Sequence, residues 1–233
     1  MRPQDLAARI DHTLLTPEAT SADIDRLVDE AVGHRFASAC VQPRWVSHAA
    51  ERAAGRVAVC CVIGFPHGAN RPTVKAIEAT AAVKDGAAEL DMVAFLPDLL
   101  ARDVRAVRAE VMEVARAARA VNRNVILKVI VESALLVAGR PDGEAEAIIA
   151  DACRAVREAG ADFIKTSTGF HPAGGADPKV IAWMAAHASG LGVKASGGIR
   201  TLAHASALLD AGATRLGASR SLAILREASE MSV

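Results

Sequence analysis

The chain alternates between short apolar runs and longer segments whose apolar residues recur every three or four positions. Residues 57–63 (VAVCCVI) are apolar on both faces, which is typical of a strand buried in a parallel sheet. The longer segments have the periodicity of amphipathic helices. The pattern therefore predicts strands and helices in regular alternation.

Eight strand and helix units follow from this alternation. The predicted strands cover residues 10–14, 36–41, 57–63, 89–93, 125–131, 163–166, 193–196 and 215–217. The predicted helices cover residues 5–8, 21–32, 44–54, 73–85, 97–121, 142–159, 178–187, 202–210 and 222–230, and glycines at 86, 160, 190 and 212 are expected to end helices.

The predicted fold is a single (β/α)8 TIM barrel, an α/β fold with a short N-terminal helix, over residues 1–233. No linker rich in proline or serine divides the chain. An open doubly wound sheet is the alternative architecture. It is less favoured because no GxGxxG motif follows the first strand.

Composition limits the possible partners. Lysine plus arginine and aspartate plus glutamate number 27 each, so the zero net charge gives no indication of binding to nucleic acid or an anionic membrane. The four cysteines show no CxxC or Cys/His spacing of a zinc site or a disulfide framework. The N-terminus lacks the apolar core of a signal peptide, and no apolar run has membrane-spanning length. We expect a soluble cytoplasmic protein with reduced cysteines.

Two lysines lie in predicted strands that are followed by glycine turns. Lys165 lies in residues 162–170 (DFIKTSTGF), and Lys194 lies in residues 192–200 (GVKASGGIR). Burial and a nearby like charge both lower the pKa of an amine, and a neutral lysine attacks carbonyl carbon to form a Schiff base. A single such lysine could instead extend to solvent from the strand end. Two of them on neighbouring strands favour the chemical interpretation.

Strand periodicity predicts more charged side chains inside the barrel. Alternation places Asp91 and Lys128 on the inner face with both lysines, at the carboxyl ends of four adjacent strands, where TIM-barrel active sites lie. Glu89 shares the parity of Asp91, and Arg215 could also face the interior. A structural network of ion pairs is the alternative explanation for Lys128, Glu89 and Arg215.

Small residues after the last two strands indicate a phosphate site. Gly197 and Gly198 follow the seventh strand, and Gly217 to Ser219 follow the eighth, where barrels commonly bind phosphate through backbone N–H groups. The histidines show no HxH or HExxH spacing, and no GxSxG motif is present. These absences argue against a metal site and against serine hydrolysis.

Six segments together resemble the deoxyribose-phosphate aldolase family of class I aldolases. They are residues 10–15 (IDHTLL), 64–68 (GFPHG), 89–93 (ELDMV), 127–130 (LKVI), 163–170 (FIKTSTGF) and 193–200 (VKASGGIR). The resemblance covers nearly the whole chain. It implies a TIM-barrel lyase that reversibly cleaves 2-deoxy-D-ribose 5-phosphate to D-glyceraldehyde 3-phosphate and acetaldehyde, with no metal or other cofactor.

The same resemblance implies roles for individual residues. Lys165 matches the Schiff-base lysine of the family, Lys194 matches its second lysine, and Asp91 matches the acid that works with the second lysine in proton transfer. Lys128 is expected to hold Asp91 ionised. The candidate substrate-binding residues are Thr13, Lys128, Thr166, Thr168, Gly169, Gly197, Gly198, Gly217, Ser219 and Arg220. We also expect the chain to form a homodimer.

The chain departs from the family pattern at several positions. Thr16 replaces a lysine common in the family, Gln42 replaces a common asparagine, and residues 94–96 (AFL) and Ala218 also differ. Arg220 is expected either to contact the phosphate in place of the lost hydroxyl or to point to solvent. The sequence contains no tyrosine, whereas members with a longer tail can bring a C-terminal tyrosine to the site.

Two other functions stay open at this point. One is a different Schiff-base aldolase of the barrel class that uses another donor. The other is a catalytically silent barrel that binds a phosphorylated metabolite as a sensor. Because Lys165, Lys194 and Asp91 are all present, the sequence favours an enzyme over a sensor.

Overall fold

Eight parallel strands close into a barrel in the computed structural model, which describes residues 1–231. The strands are β1 (Ile10–Thr13), β2 (Ser38–Val41), β3 (Ala58–Ile63), β4 (Glu89–Val93), β5 (Ile126–Ile130), β6 (Phe163–Lys165), β7 (Gly192–Ser196) and β8 (Arg215–Ala218). Each strand pairs with the next along the chain, and β8 pairs with β1. The predicted barrel and the short helix before it are confirmed.

Helices connect the strands and surround the barrel. Within residues 1–231 they are α1 (Pro3–Ala7), α2 (Ser21–His34), α3 (Val46–Ala53), α4 (Pro72–Lys84), α5 (Leu96–Leu100), α6 (Val104–Val121), α7 (Ser133–Val137), α8 (Asp142–Glu158), α9 (Pro178–His187), α10 (Leu202–Asp210) and α11 (Ser221–Glu230). Among these helices, none is both long enough and apolar enough to cross a bilayer.

Local signals in the sequence account for several helix ends. The Thr20 hydroxyl accepts the backbone N–H of Asp23, and the Asp23 carboxylate accepts the N–H of Thr20, so a capping box begins α2. Gly86 follows α4 with a φ of 110°, and Gly212 follows α10 with a φ of 112°. The glycines predicted to end these two helices therefore do adopt the positive φ that favours glycine.

Three helical segments differ from the prediction. The segment 97–121 is two helices, because Arg102 takes a φ of 57° and the Asp103 carboxylate begins α6 by accepting two backbone N–H groups. The segment 44–54 starts as a 3-10 turn (Pro43–Trp45) before α3. The short helix α7 was not predicted. One turn after a strand is too short to show helical periodicity.

Strand alternation separates an apolar outer layer from a polar interior. Leu90 and Met92 of β4 and Val129 of β5 are fully buried and belong to the apolar core beneath the helices. Their neighbours Asp91 and Lys128 are equally buried but have the opposite parity. These charged side chains of β4 and β5 therefore lie on the inner face of the barrel.

One buried ion pair outside the barrel fixes two loops near its carboxyl end. Lys75 of α4 is fully buried, and its Nζ donates to Gly68 O (2.7 Å), Val93 O (2.8 Å) and Glu110 Oε1 (2.5 Å). Glu110 Oε2 accepts the N–H of Phe95 at 2.9 Å. These bonds tie the segments after β3 and β4 to α4 and α6, so the end of the strand that carries Asp91 is fixed from outside.

Candidate active site

Three lysines converge on the carboxylate of Asp91 inside the barrel. Lys128 Nζ lies 2.8 Å from Asp91 Oδ1, while Lys165 Nζ and Lys194 Nζ lie 2.7 Å and 2.6 Å from Asp91 Oδ2. Strand register produces this convergence, because Asp91 pairs with Lys128 across β4 and β5 and Lys165 pairs with Lys194 across β6 and β7. The inward direction predicted for all four side chains is confirmed.

A second carboxylate, Asp11 of β1, completes the cluster and was not predicted. It is fully buried and accepts from Lys194 Nζ, from Arg215 Nη1 at 2.6 Å and from Ser38 Oγ at 2.7 Å. Lys128 Nζ lies 3.8 Å away. Asp11 has the same parity as Thr13, so alternation along β1 is the signal that could have found it.

Glu89 and Arg215 form the part of the cluster nearest the start of the strands. Glu89 Oε2 lies 2.6 Å from Lys128 Nζ and 3.4 Å from Arg215 Nη1. The alternative of a structural ion-pair network therefore describes this part of the barrel. The whole cluster contains the bases Lys128, Lys165, Lys194 and Arg215 but only the acids Asp11, Glu89 and Asp91.

The cluster holds both aspartates in the ionised form. Burial opposes ionisation of Asp91, but Lys128, Lys165 and Lys194 outweigh it and hold its pKa well below the ordinary value. Burial likewise opposes ionisation of Asp11, and the charges of Lys194, Lys128 and Arg215 again outweigh it and lower its pKa. The expectation that Lys128 holds Asp91 ionised agrees with this arrangement.

The net lowering of the Lys194 pKa that was expected from a neighbouring lysine is wrong. Burial does lower the pKa of the Lys194 ammonium group, but Asp11 and Asp91 outweigh burial and raise it well above the ordinary value. The pKa of Lys128 is also raised, because Asp91 and the other nearby anionic groups outweigh burial. Both side chains are therefore cations in the floor of the barrel.

A cavity of about 250 Å³ opens above this cluster at the carboxyl ends of the strands. Of the three lysines, Lys165 lines the cavity, whereas Lys128 and Lys194 are fully buried beneath it. The other predicted residues that line it are Thr13, Thr168, Gly169, Gly197, Gly198, Gly217 and Ser219. The amine of Lys165 is therefore the one that a molecule in the cavity meets.

Two other predicted substrate-binding residues lie away from the cavity lining. Thr166 is buried, and its Oγ1 donates to Ser196 O at 3.0 Å and accepts the N–H of Ser196 at 2.9 Å, so it joins β6 to β7. Arg220 is exposed at the N-cap of α11 and does not belong to the lining, whereas Arg200 does. Arg200 stands two residues after Gly198, and this position could have indicated it.

Free backbone donors occur on three loops around the cavity. The N–H groups of Gly169, Gly198 and Ser219 have no hydrogen-bond partner among residues 1–231. Ser219 also stands two residues before α11, whose N-terminal end favours negative charge. The lining can therefore receive an anion with donors already in place.

The segments that follow β1 and β6 give the cavity lining an apolar part. Leu15 and Phe170 line it, and Phe170, half-exposed, packs edge-on against Phe65 with ring centroids 5.2 Å apart. Gln42 Nε2 donates to Leu15 O at 3.1 Å. Gln42, Thr16 and Ala218 all depart from the family pattern, and the structure places Thr16 and Ala218 in the lining.

Two cysteines border the same carboxylate. Cys60 Sγ donates to Asp91 Oδ1 at 3.3 Å, and the sulfur atoms of Cys40 and Cys60 lie with an Asp91 oxygen within 4.8 Å of one another. Such a group of atoms resembles a metal site in its ligand types. The raised pKa values of Lys128 and Lys194 keep two cations beside this carboxylate, and they disfavour a bound metal ion.

These features define a barrel that presents Lys165 to a cavity whose lining carries free backbone N–H groups. Residues 6–227 match the DeoC/LacD family of aldolases. The chain belongs to this family, and because aldolases cleave or form carbon–carbon bonds it is a lyase.

Relatives of known name agree with the family assignment. The chain is 51% identical to deoxyribose-phosphate aldolase of Mycobacterium avium, over 94% of this chain and 95% of the relative. It is also 51% identical to the enzyme of that name from Mycobacterium tuberculosis strain H37Rv, over 94% of each chain. The structure of deoxyribose phosphate aldolase from Aeropyrum pernix, described as a unique tetramer, has a TM-score of 0.87 and 36% identity and covers 98% of this chain and 93% of that one. The family resemblance seen in the sequence is confirmed.

We expect Asp11→Asn to lower the free energy of unfolding by about 3–5 kcal/mol at pH 7, since removing one partner leaves buried cations uncompensated. The folded pKa of Asp11 is lowered. Its stabilisation is therefore complete above the unfolded pKa of about 3.9 and is lost as the pH falls towards the folded pKa. Urea unfolding at pH 7, 5 and 3 measures both effects.

The difference in the free energy of unfolding between the parent chain and Asp11→Asn should thus be similar at pH 7 and 5 and smaller at pH 3. Asp142→Asn, at a side chain that is 73% exposed, controls for the general effect of losing a carboxylate. If this difference in the free energy of unfolding is unchanged at pH 3, the assignment of a lowered pKa to Asp11 is wrong.

Proposed function

We propose that this chain is a class I deoxyribose-phosphate aldolase that forms a Schiff base on Lys165. The observation that carries the proposal is the position of Lys165, which lines the cavity while its Nζ lies 2.7 Å from Asp91. Asp91 in turn lies 2.6 Å from the cationic Lys194. The names of the relatives at 51% identity support the choice of substrate.

The proposed reaction begins when Lys165 Nζ attacks the aldehyde carbon C1 of open-chain 2-deoxy-D-ribose 5-phosphate. Loss of water gives a protonated imine, which is an electron sink. The 3-hydroxyl then loses its proton, the C2–C3 bond breaks, and its electron pair moves towards the imine. This step gives an enamine and releases D-glyceraldehyde 3-phosphate. A proton added to C2 and hydrolysis of the imine then release acetaldehyde and restore Lys165.

Asp91 and Lys194 serve proton transfer in this scheme. The Asp91 carboxylate is ionised and contacts both the reacting amine and the Lys194 ammonium group, so it can pass protons through a water in the cavity. Lys128, at 2.8 Å from the other oxygen of Asp91, fixes the carboxylate and balances its charge. No metal ion or other cofactor takes part in the proposed scheme.

The phosphate is placed at the loops after β6, β7 and β8. The free N–H groups of Gly169, Gly198 and Ser219 support this placement, and Arg200 in the lining adds a charged donor. A site with these donors suits a phosphorylated substrate better than a neutral sugar. In this role the chain breaks down deoxyribose phosphate in the cytoplasm.

The alternatives are separated by simple assays. A different Schiff-base aldolase would prefer another donor in a screen of aldehydes and ketones, and a sensor would bind phosphorylated sugars without turnover. The homodimer stays a prediction, and the tetramer described for the Aeropyrum pernix relative makes light scattering the appropriate test.

Borohydride reduction in the presence of acetaldehyde should attach a two-carbon unit to Lys165, because this amine is the one that lines the cavity. Mass spectrometry of the digested protein locates the adduct. Lys165→Met should abolish labelling. Labelling of Lys128 or Lys194 in the parent chain, with Lys165 unmodified, would refute the assignment.

A second prediction separates the two arginines near the phosphate loops. Arg200→Ala should lower kcat/KM for deoxyribose 5-phosphate. The loss should correspond to about 1.5–3 kcal/mol of binding free energy, the range for a hydrogen bond to a charged group. The kcat/KM for unphosphorylated deoxyribose should stay nearly unchanged. Arg220→Ala is the matched control and should have little effect, because Arg220 lies outside the lining. The reverse result would restore Arg220 as the phosphate contact that the sequence suggested.

A further inference from the structure

Glu132 follows β5 in a backbone conformation that is unfavourable for its residue type. Its φ of 49° and ψ of 56° lie in the left-handed region, which glycine adopts at least cost. The side chain is nevertheless buried, with 1% of the residue exposed. Non-glycine residues in this region are uncommon and often occur at functional sites.

The segment around Glu132 extends the pairing of β5 and β6 beyond the strand ends. The N–H of Val131 donates to Lys165 O at 3.0 Å, and the N–H of Ser133 donates to Thr166 O at 2.8 Å. The Glu132 Oε1 atom accepts the backbone N–H of Thr168. The carboxyl group of Glu132 thus holds the backbone at Thr168, three residues after the lysine that lines the cavity.

The bonds around Thr168 leave one donor free. Glu132 takes the N–H of Thr168, and Thr168 Oγ1 accepts the N–H of Phe170 at 3.1 Å. Gly169, between Thr168 and Phe170, lines the cavity, and its N–H has no hydrogen-bond partner among residues 1–231. Of these three consecutive N–H groups, the one of Gly169 therefore stays available to a ligand.

Three buried polar atoms next to this loop also have no partner within residues 1–231. They are Glu132 Oε2, Ser133 Oγ and Ser167 Oγ. Buried polar atoms are usually hydrogen-bonded, so a group of three calls for a reason. Keeping a carboxyl group in such a place costs stability, and packing alone does not require it.

We propose that Glu132 is a positioning residue for phosphate binding. Its carboxyl group fixes Thr168 so that the Gly169 N–H stays directed at the substrate anion. This inference rests on the proposed function for the identity of the substrate. The left-handed conformation follows from the same task, because it lets one residue offer both its carboxyl group and the next backbone N–H to the β6 segment.

The sharpest test compares two amides at this position. Glu132→Gln keeps an acceptor of the same reach, while Glu132→Asn tolerates the left-handed conformation but is one methylene too short to reach the Thr168 N–H. Glu132→Gly removes the side chain and relieves the backbone. KM and kcat are measured for deoxyribose 5-phosphate and for unphosphorylated deoxyribose, and the stabilisation of the full chain by inorganic phosphate is measured from its Tm.

We expect Glu132→Asn and Glu132→Gly to raise KM for the phosphorylated substrate by about tenfold or more, the effect of losing a hydrogen bond to a charged group. Their kcat and their activity on unphosphorylated deoxyribose should stay within about threefold of the parent, since Lys165 is not disturbed. The Tm rise caused by inorganic phosphate should shrink in both variants. Glu132→Gln should behave like the parent chain.

Three results would overturn the proposal. They are a normal KM in Glu132→Asn, an equal loss on both substrates, or the same loss in Glu132→Gln as in Glu132→Asn. If Glu132→Gly fails to fold, the Gln and Asn pair still decides. If the parent chain does not cleave deoxyribose 5-phosphate, the proposed function fails, and the Tm measurements with inorganic phosphate still test Glu132 separately.

Discussion

The structure depends on one carboxylate, Asp91, that three lysines share inside the barrel. Buried charges destabilise a fold unless each one is paired, and removing one partner leaves the others uncompensated. The register of β4 to β7 satisfies this condition in two steps, because Asp91 pairs with Lys128, and Lys165 pairs with Lys194 one side-chain layer nearer the carboxyl ends. The same contacts place the amine that lines the cavity next to an ionised acid, which is in turn next to a buried ammonium group.

The cluster divides into a structural floor and a reactive upper part. Lys194 and Lys128 each contact both Asp11 and Asp91, are fully buried and have raised pKa values. Among the carboxylates of residues 1–231, Lys165 contacts Asp91 alone, and it lines the cavity. This cluster of ion pairs has four basic and three acidic side chains, so one basic side chain has no carboxylate of its own. The amine with the fewest acidic partners is the one presented to the substrate.

Much of this arrangement could be predicted from the sequence, because strand alternation is a strict two-residue period. Alternation is enough to place Asp91, Lys128 and Lys194 on one inner face, and the order of strands brings them together. Asp11 was missed because the alternation of side chains along β1 was not used to find which of its residues face the interior. Arg200 and Glu132 were missed for a different reason, since loop conformation has no period. The choice between Arg200 and Arg220, or the left-handed turn at Glu132, is decided by packing between loops distant in sequence.

We propose that Asp91, shared between Lys165 and Lys194, transfers protons during cleavage of deoxyribose 5-phosphate. The most direct measurement is the turnover number of Asp91→Asn in a coupled assay for D-glyceraldehyde 3-phosphate, beside the parent chain and with folding checked by circular dichroism. We expect the parent chain to cleave the substrate and the folded variant to be slower by at least about 10²-fold, the scale of general acid and base catalysis. A folded Asp91→Asn variant with the parent turnover number would contradict this proposal.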